Sequence, residues 1–144
     1  MATSSEVSIV VNAYNEAPEL LASAIESAMA QTVSPLEILL IDDGSPRDYT
    51  PLLKSCPAVR AIRQVNAGLA AARNTGLGAA VGKYVVFLDG DDRLLPDALA
   101  HNLRRFAERP DAAMAYGGYR FIDRDGRPSF QAIMRPMGSD AYAT

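Results

Sequence analysis

Short apolar runs mark the chain at residues 7–11, 36–41 and 84–88, each too brief for a helix and rich in β-branched or aromatic side chains. Such runs predict buried strands. Between the first two, Leu20, Leu21, Ala24, Ile25, Ala28 and Met29 recur at three- and four-residue spacing, which places them on one apolar face of a helix. The strand, helix, strand order then repeats less cleanly. A short helix is expected over 49–55 and a strand over 59–63, where apolar and basic residues alternate as on a sheet edge. Residues 69–81 are rich in alanine and punctuated by Gly76 and Gly78, so they predict a helix whose glycines allow close packing on a sheet. Pro96 and Asp97 suit the first turn of a further helix with Leu99, Leu103 and Phe106 inward and Pro110 at its exit. Residues 112–122 read as an extended segment interrupted at Gly117 and Gly118, and Asp125-Gly126 as a turn leading into 127–134.

Alternating strands and helices predict an α/β fold with a mainly parallel, open, right-handed wound sheet flanked by helices. No internal repeat, low-complexity tract or linker divides the 144 residues, so 1–144 is expected to form a single domain with 127–144 as a weakly patterned tail. A hydrophobic content of 49% suffices for one sizeable core. Lys and Arg number 14 against 17 Asp and Glu, and no basic stripe marks a nucleic-acid groove, so no nucleic-acid partner is expected. Cys56 is the only cysteine, which excludes an internal disulfide and fits a reducing cytoplasm. The first residues lack a secretory pattern, and no apolar run approaches the roughly 20 residues of a membrane span. The expectation is a cytoplasmic protein with no membrane span, with peripheral attachment to the inner membrane face still allowed.

Ligands of open α/β sheets bind beyond the carboxyl ends of the strands, which directs attention to the residues after each apolar run. These are Asn12-Ala13-Tyr14-Asn15-Glu16, Asp42-Asp43-Gly44-Ser45 and Asp89-Gly90-Asp91-Asp92. Asp89 and Asp91, two apart, share a side if the strand stays extended, and a hard divalent cation takes one or two carboxylates beside substrate phosphates. Gly90 lets a phosphate or sugar approach the backbone. Solvated loop aspartates, with Asp92 capping the next helix, explain the same residues equally well. Asp43 can accept from a uracil ring nitrogen or a ribose hydroxyl, although Asp-Gly is also a common turn and Ser45 can begin a helix. Tyr14 offers a ring face for base stacking or serves as a half-buried core tyrosine. In Asn66-Ala67-Gly68 followed by Arg73, a glycine at a helix entry with an arginine one turn inside can attract phosphate; a turn glycine and a surface arginine are the plainer reading.

The ordered set VSIVVNAYNE, ILLIDDGS, NAGLAAARNTG and FLDGDD resembles the N-terminal part of family 2 inverting glycosyltransferases, which have the Rossmann-like GT-A fold. The resemblance covers about residues 6–126. It implies that Asn12, Tyr14 and Asp43 hold base and ribose, with Asn15, Glu16, Gly44, Ser45 and Gly90 around the donor. Asp89 would lie near the ribose or metal, Asp91 would bind Mg²⁺ or Mn²⁺ as in a DXD motif, and Asn66, Gly68 and Arg73 would flank the donor. One departure is Asn12-Ala13, where many members have Pro-Thr or Pro-Ser.

The implied activity is metal-dependent, inverting transfer from a nucleotide-diphosphate sugar, with UDP-sugar favoured, to a carbohydrate, lipid-linked or protein acceptor in polysaccharide or glycoconjugate assembly. No catalytic base is assigned, because in such families it lies in the C-terminal half and the chain is expected to stop before it. Asp140 sits in a Gly/Ser-flanked tail, and His101 is expected on the exposed side of its helix. A non-enzymatic or truncated nucleotide-sugar-binding module is the alternative. A Rossmann oxidoreductase or a nucleotidyltransferase would carry a glycine-rich loop after the first strand, where this chain has Asn12 to Glu16.

Overall fold

A computed structural model describes residues 6–123 and 125–132 of the protein; Asp140 and the rest of 133–144 lie outside the described residues. The elements run β1 (Val7–Ala13), α1 (Pro18–Met29), β2 (Glu37–Asp42), α2 (Thr50–Ser55), β3 (Val59–Arg63), α3 (Leu69–Ala79), β4 (Tyr84–Asp89), α4 (Ala98–Glu108), β5 (Tyr119–Ile122) and β6 (Pro128–Ala132). The chain divides into two compact units, one ending at Arg104 and the other beginning at Arg105.

In the first unit four strands form a wholly parallel sheet in the order β3-β2-β1-β4, so the first strand of the sequence lies inside it. All seven residues of β1 are buried, as a strand covered on both faces must be. Alternation sends Ile9, Val11 and Ala13 to one face, where they pack with Leu21, Ala24, Ile25 and Ala28 of α1 and with Tyr49, Cys56 and Leu99. Val10 goes to the other face and packs with Leu39, Ile41 and Ala72 under α3. The expected α/β architecture is present, and β3 has the predicted bounds and edge position.

Several expectations need correction. Leu20 and Met29, placed on the inner face of α1 by spacing, are 37% and 48% exposed, because the buried stripe is only as wide as the four residues that meet the sheet. Gly76 does permit close packing: a Cβ there would lie 2.3 Å from Val10 Cγ1. Gly78 faces open space. Helix α3 ends at Ala79 rather than at 81. Residues 112–118 are not a strand, and only Tyr119–Ile122 of the expected segment is extended. In α4, Leu99 is buried and His101 is exposed.

The second unit contains an antiparallel pair, β5 with β6. Its turn is built on Asp123, whose Oδ1 accepts from the amides of Asp125 and Arg127, with Gly126 at φ 78° as the expected Asp-Gly turn requires. No helix of the described residues is long and apolar enough to cross a membrane.

Candidate functional site

Register places Asn12 beside Ile41 on one side and Asp89 on the other, so β1, β2 and β4 end nearly level. Their polar continuations meet at the carboxyl edge of the sheet. A cavity of about 460 Å³ opens there, and its walls include Asn12, Tyr14, Glu16, Asp43, Asn66 and Gly68. Asp89 and Asp91 line it from β4 and the loop beyond, and Leu69 and Ala72 supply apolar surface from α3.

The β1 loop turns sharply because Asn15 takes a left-handed conformation, φ 66°, which asparagine tolerates better than most residues. Glu16 folds back so that its Oε2 accepts the Tyr14 amide at 2.5 Å, and Tyr49 donates its hydroxyl to the Glu16 carbonyl at 3.1 Å. Tyr14 is thereby left 52% exposed against the cavity. Ser45, buried, accepts from the amides of Asn15 and Arg47, both at 3.1 Å, and binds the Tyr49 hydroxyl at 3.3 Å. It ties two loops together and does not line the cavity.

Asp43 is the hub of the next wall. Its Oδ1 accepts from Gln64 Nε2 at 2.7 Å and the Ala67 amide at 2.9 Å, and its Oδ2 from the Gly68 amide at 2.8 Å and Asn66 Nδ2 at 3.3 Å. These bonds, the Ala67 amide foremost, hold its carboxyl below the usual aspartate pKa. Two amides at the entry to α3, which a phosphate could otherwise use, are thus engaged by a protein carboxylate. Gly44 allows the approach: it sits at φ 71°, and a Cβ would lie 2.7 Å from the Asn66 amide nitrogen. Gln64, whose Oε1 accepts from Thr75 at 2.5 Å, was not singled out by sequence, and only its closeness to Asn66 hints at it.

Arg73 donates from Nη2 to both oxygens of Asp89, at 3.0 and 3.3 Å, and lies over the Phe87 ring at 5.8 Å. It is therefore a partner of the β4 terminus, neither a free surface arginine nor part of the cavity wall. Gly90 bonds through its amide to the Asn12 carbonyl at 2.9 Å, and a Cβ would lie equally close to that oxygen. It maintains the packing of two strand ends rather than lining the cavity. Asn15 and Gly44 likewise act behind the wall. Asp91 is exposed, and among the described residues it has no hydrogen bond or ion pair with a protein group. Burial, followed by the charges of Asp91 and Asp89, pushes the Asp92 carboxyl above its usual value.

The glycosyl transferase family 2 model matches residues 8–142. The succinoglycan biosynthesis protein ExoO of Rhizobium meliloti is 42% identical over 129 residues, which cover 85% of this chain and 35% of that protein. Chondroitin synthase of Escherichia coli is 39% identical over 124 residues, 83% of this chain and 18% of that protein. Among solved structures, TarS 1-349 of S. aureus in complex with UDP-GlcNAc superposes with a TM-score of 0.65 at 22% identity, covering 72% of this chain and 32% of that one. The chain thus spans roughly a fifth to a third of the length of these relatives.

Proposed function

The chain belongs to glycosyl transferase family 2, and from that premise we propose that its first unit binds the nucleotide-diphosphate sugar, UDP-sugar above others, for inverting transfer to an acceptor hydroxyl in polysaccharide or glycoconjugate assembly. The observation that carries this reading is the convergence of Asn12, Tyr14, Asp43, Asp89 and Asp91 on one cavity at the carboxyl ends of parallel strands. Its volume, about 460 Å³, lies within the range of small-molecule sites. UDP-GlcNAc bound to TarS and the polysaccharide named for ExoO point the same way.

Each wall has a defined part. Tyr14 presents a ring face to the base, and Leu69 and Ala72 give the apolar surface that excludes water from it. Asp89, fixed by Arg73, accepts from a ribose hydroxyl. A divalent cation, Mg²⁺ or Mn²⁺, fits the donor set. Among the described residues no group of three or more His, Cys, Asp or Glu could hold a metal by itself, but such a cation needs only one or two carboxylates when phosphates and water complete its shell. Asp91 would hold it, with Asp89 alongside. The ion supplies charge neutralisation for the departing diphosphate.

The deciding experiment is calorimetric titration of the purified chain with UDP, CDP, GDP and ADP, with and without Mn²⁺. UDP binding strengthened by metal supports the reading; absence of binding by every nucleotide would overturn it.

A further inference from the structure

The loop that leaves β4 carries Asp91, the carboxylate assigned to the cation, yet it has little apolar packing of its own. Asp91, Asp92, Arg93 and Leu95 are exposed, and only Leu94 packs partly against the core. Loops of this kind are ordinarily mobile. This one is tied down along its far half by hydrogen bonds that span 64 to 68 residues of sequence.

The ties come from α1 and the residues just beyond it. Ser27 Oγ, which donates to the Ala24 carbonyl at 2.7 Å, accepts the Leu94 amide at 3.0 Å. Four residues on, Gln31 donates from Nε2 to the carbonyls of Leu95 at 2.8 Å and Ser27 at 3.0 Å, and its Oε1 accepts the Leu99 amide at 3.1 Å. The Thr32 amide adds a bond to the Pro96 carbonyl at 2.8 Å. Gln31 is 6% exposed and makes three of the four bonds that a primary amide offers. A buried amide satisfied in this way fixes its partners, because breaking one bond strands a polar group away from water.

The near half of the loop is clamped as well. The Gly90 amide is bound to the Asn12 carbonyl at 2.9 Å and the Asp92 amide to the Asp89 carbonyl at 3.0 Å. Asp91 therefore stands between two clamps, while its own carboxylate has no protein partner among the described residues to place it. A binding constellation tolerates displacement of a ligand by only about 0.5 Å. The clamps must supply that precision.

We propose that Gln31, aided by Ser27, is a positioning residue for the Asp91 carboxylate: by holding residues 94–99 against α1 it sets where Asp91 meets the cation of the sugar donor. Neither side chain lines the cavity, so both act through the loop and touch neither donor nor metal. The assignment rests on the reading of Asp91 given above and adds to it the residues that aim the carboxylate.

The test titrates UDP with and without Mn²⁺ against the unmodified chain, Gln31→Met, Ser27→Ala and Ser27→Thr. Circular dichroism verifies the fold, and hydrogen exchange is read at the Leu94 and Leu99 amides. Gln31→Met should speed exchange at Leu99, and Ser27→Ala at Leu94, each by about tenfold or more. Both should bind UDP without metal as the unmodified chain does, and lose about threefold to tenfold of the affinity that Mn²⁺ adds. Ser27→Thr, which keeps the hydroxyl, should restore most of that increment. In an Asp91→Asn background Gln31→Met should change UDP binding no further, because the two residues act through one carboxylate. Faster exchange with a full Mn²⁺ increment in Gln31→Met overturns the assignment and leaves Asp91 as the cation ligand. An equal loss of UDP affinity with and without the metal does the same, since it marks general damage to the cavity. Should Gln31→Met fail to fold, Ser27→Ala decides by the same readings. An unmodified chain whose UDP affinity ignores Mn²⁺ sinks the cation reading itself, and this assignment with it.

Discussion

The carboxylate of Asp43 accepts the backbone amide of Gly68 at 2.8 Å, so the end of β2 caps the helix that follows β3. Gly68 has no side chain to serve as its own cap, and its neighbour Ala67 has none that can accept a hydrogen bond. A charge placed 25 residues earlier in sequence supplies the missing acceptor.

Replacing that charge should loosen the wall without collapsing the sheet. Asp43→Asn retains one acceptor oxygen and removes the second. Hydrogen exchange at the Ala67 and Gly68 amides is expected to accelerate by about tenfold or more, while exchange in β1 and β2 stays slow. UDP affinity should fall in step with that loosening. Unchanged exchange at both amides would show that the cap does not hold the loop.

Acid should act through the same contact. The folded pKa of Asp43 lies below the usual aspartate value, so its stabilising contribution is complete above the unfolded pKa, about 3.9, and is lost as pH falls through the folded value. Stability of the unmodified chain, followed by denaturant titration, should drop below about pH 4 more steeply than that of Asp43→Asn. Parallel acid profiles for the two would count against a native-state shift at this residue.

Two glycines of α3 should respond in opposite directions to the same substitution. Gly76→Ala forces a methyl to within 2.3 Å of Val10 Cγ1, in a fully buried setting, and should destabilise by about 1–3 kcal/mol. Gly78→Ala meets no atom within 4 Å and should stabilise by about 0.5–1 kcal/mol through reduced backbone freedom in the unfolded chain. Urea midpoints of the two variants check both signs.

Asp91→Asn should leave the fold and metal-free UDP binding intact and remove most of the increment that Mn²⁺ adds. The carboxylate is exposed and has no protein partner among the described residues, so its loss disturbs little besides a cation. Titration with and without Mn²⁺ separates the two contributions. A full metal increment in the variant would place the cation elsewhere.

What could be read from sequence was what depends on neighbours along the chain. The strand 59–63 announces itself because basic Arg60 and Arg63 are interspersed among apolar Val59, Ala61 and Ile62, and the polar stretches after β1, β2 and β4 follow directly from where the apolar runs stop. Contacts between distant residues were not legible. Nothing in Asp-Asp-Gly-Ser says that Asp43 will fill its oxygens with donors from 64–68, and nothing in Arg73 says that Asp89 will claim it. Leu20 and Met29 misled because helical spacing gives the angle of a residue but not the width of the surface it meets. Ser45 and Gly90 were placed in the site because they neighbour it in sequence; the side chain of one and the backbone of the other serve to join its walls.

The strand order has a consequence for synthesis. With β1 flanked by β2 and β4, a ribosome must deliver residues up to Asp89 before the first strand has both its neighbours. Until then one edge of a strand that is buried along its whole length in the finished sheet stays open to any other extended chain, the situation that favours edge-to-edge aggregation. A nascent chain paused before Tyr84 is therefore the form most in need of a chaperone, and slow codons just ahead of β4 should lower the soluble yield more than the same codons placed after it.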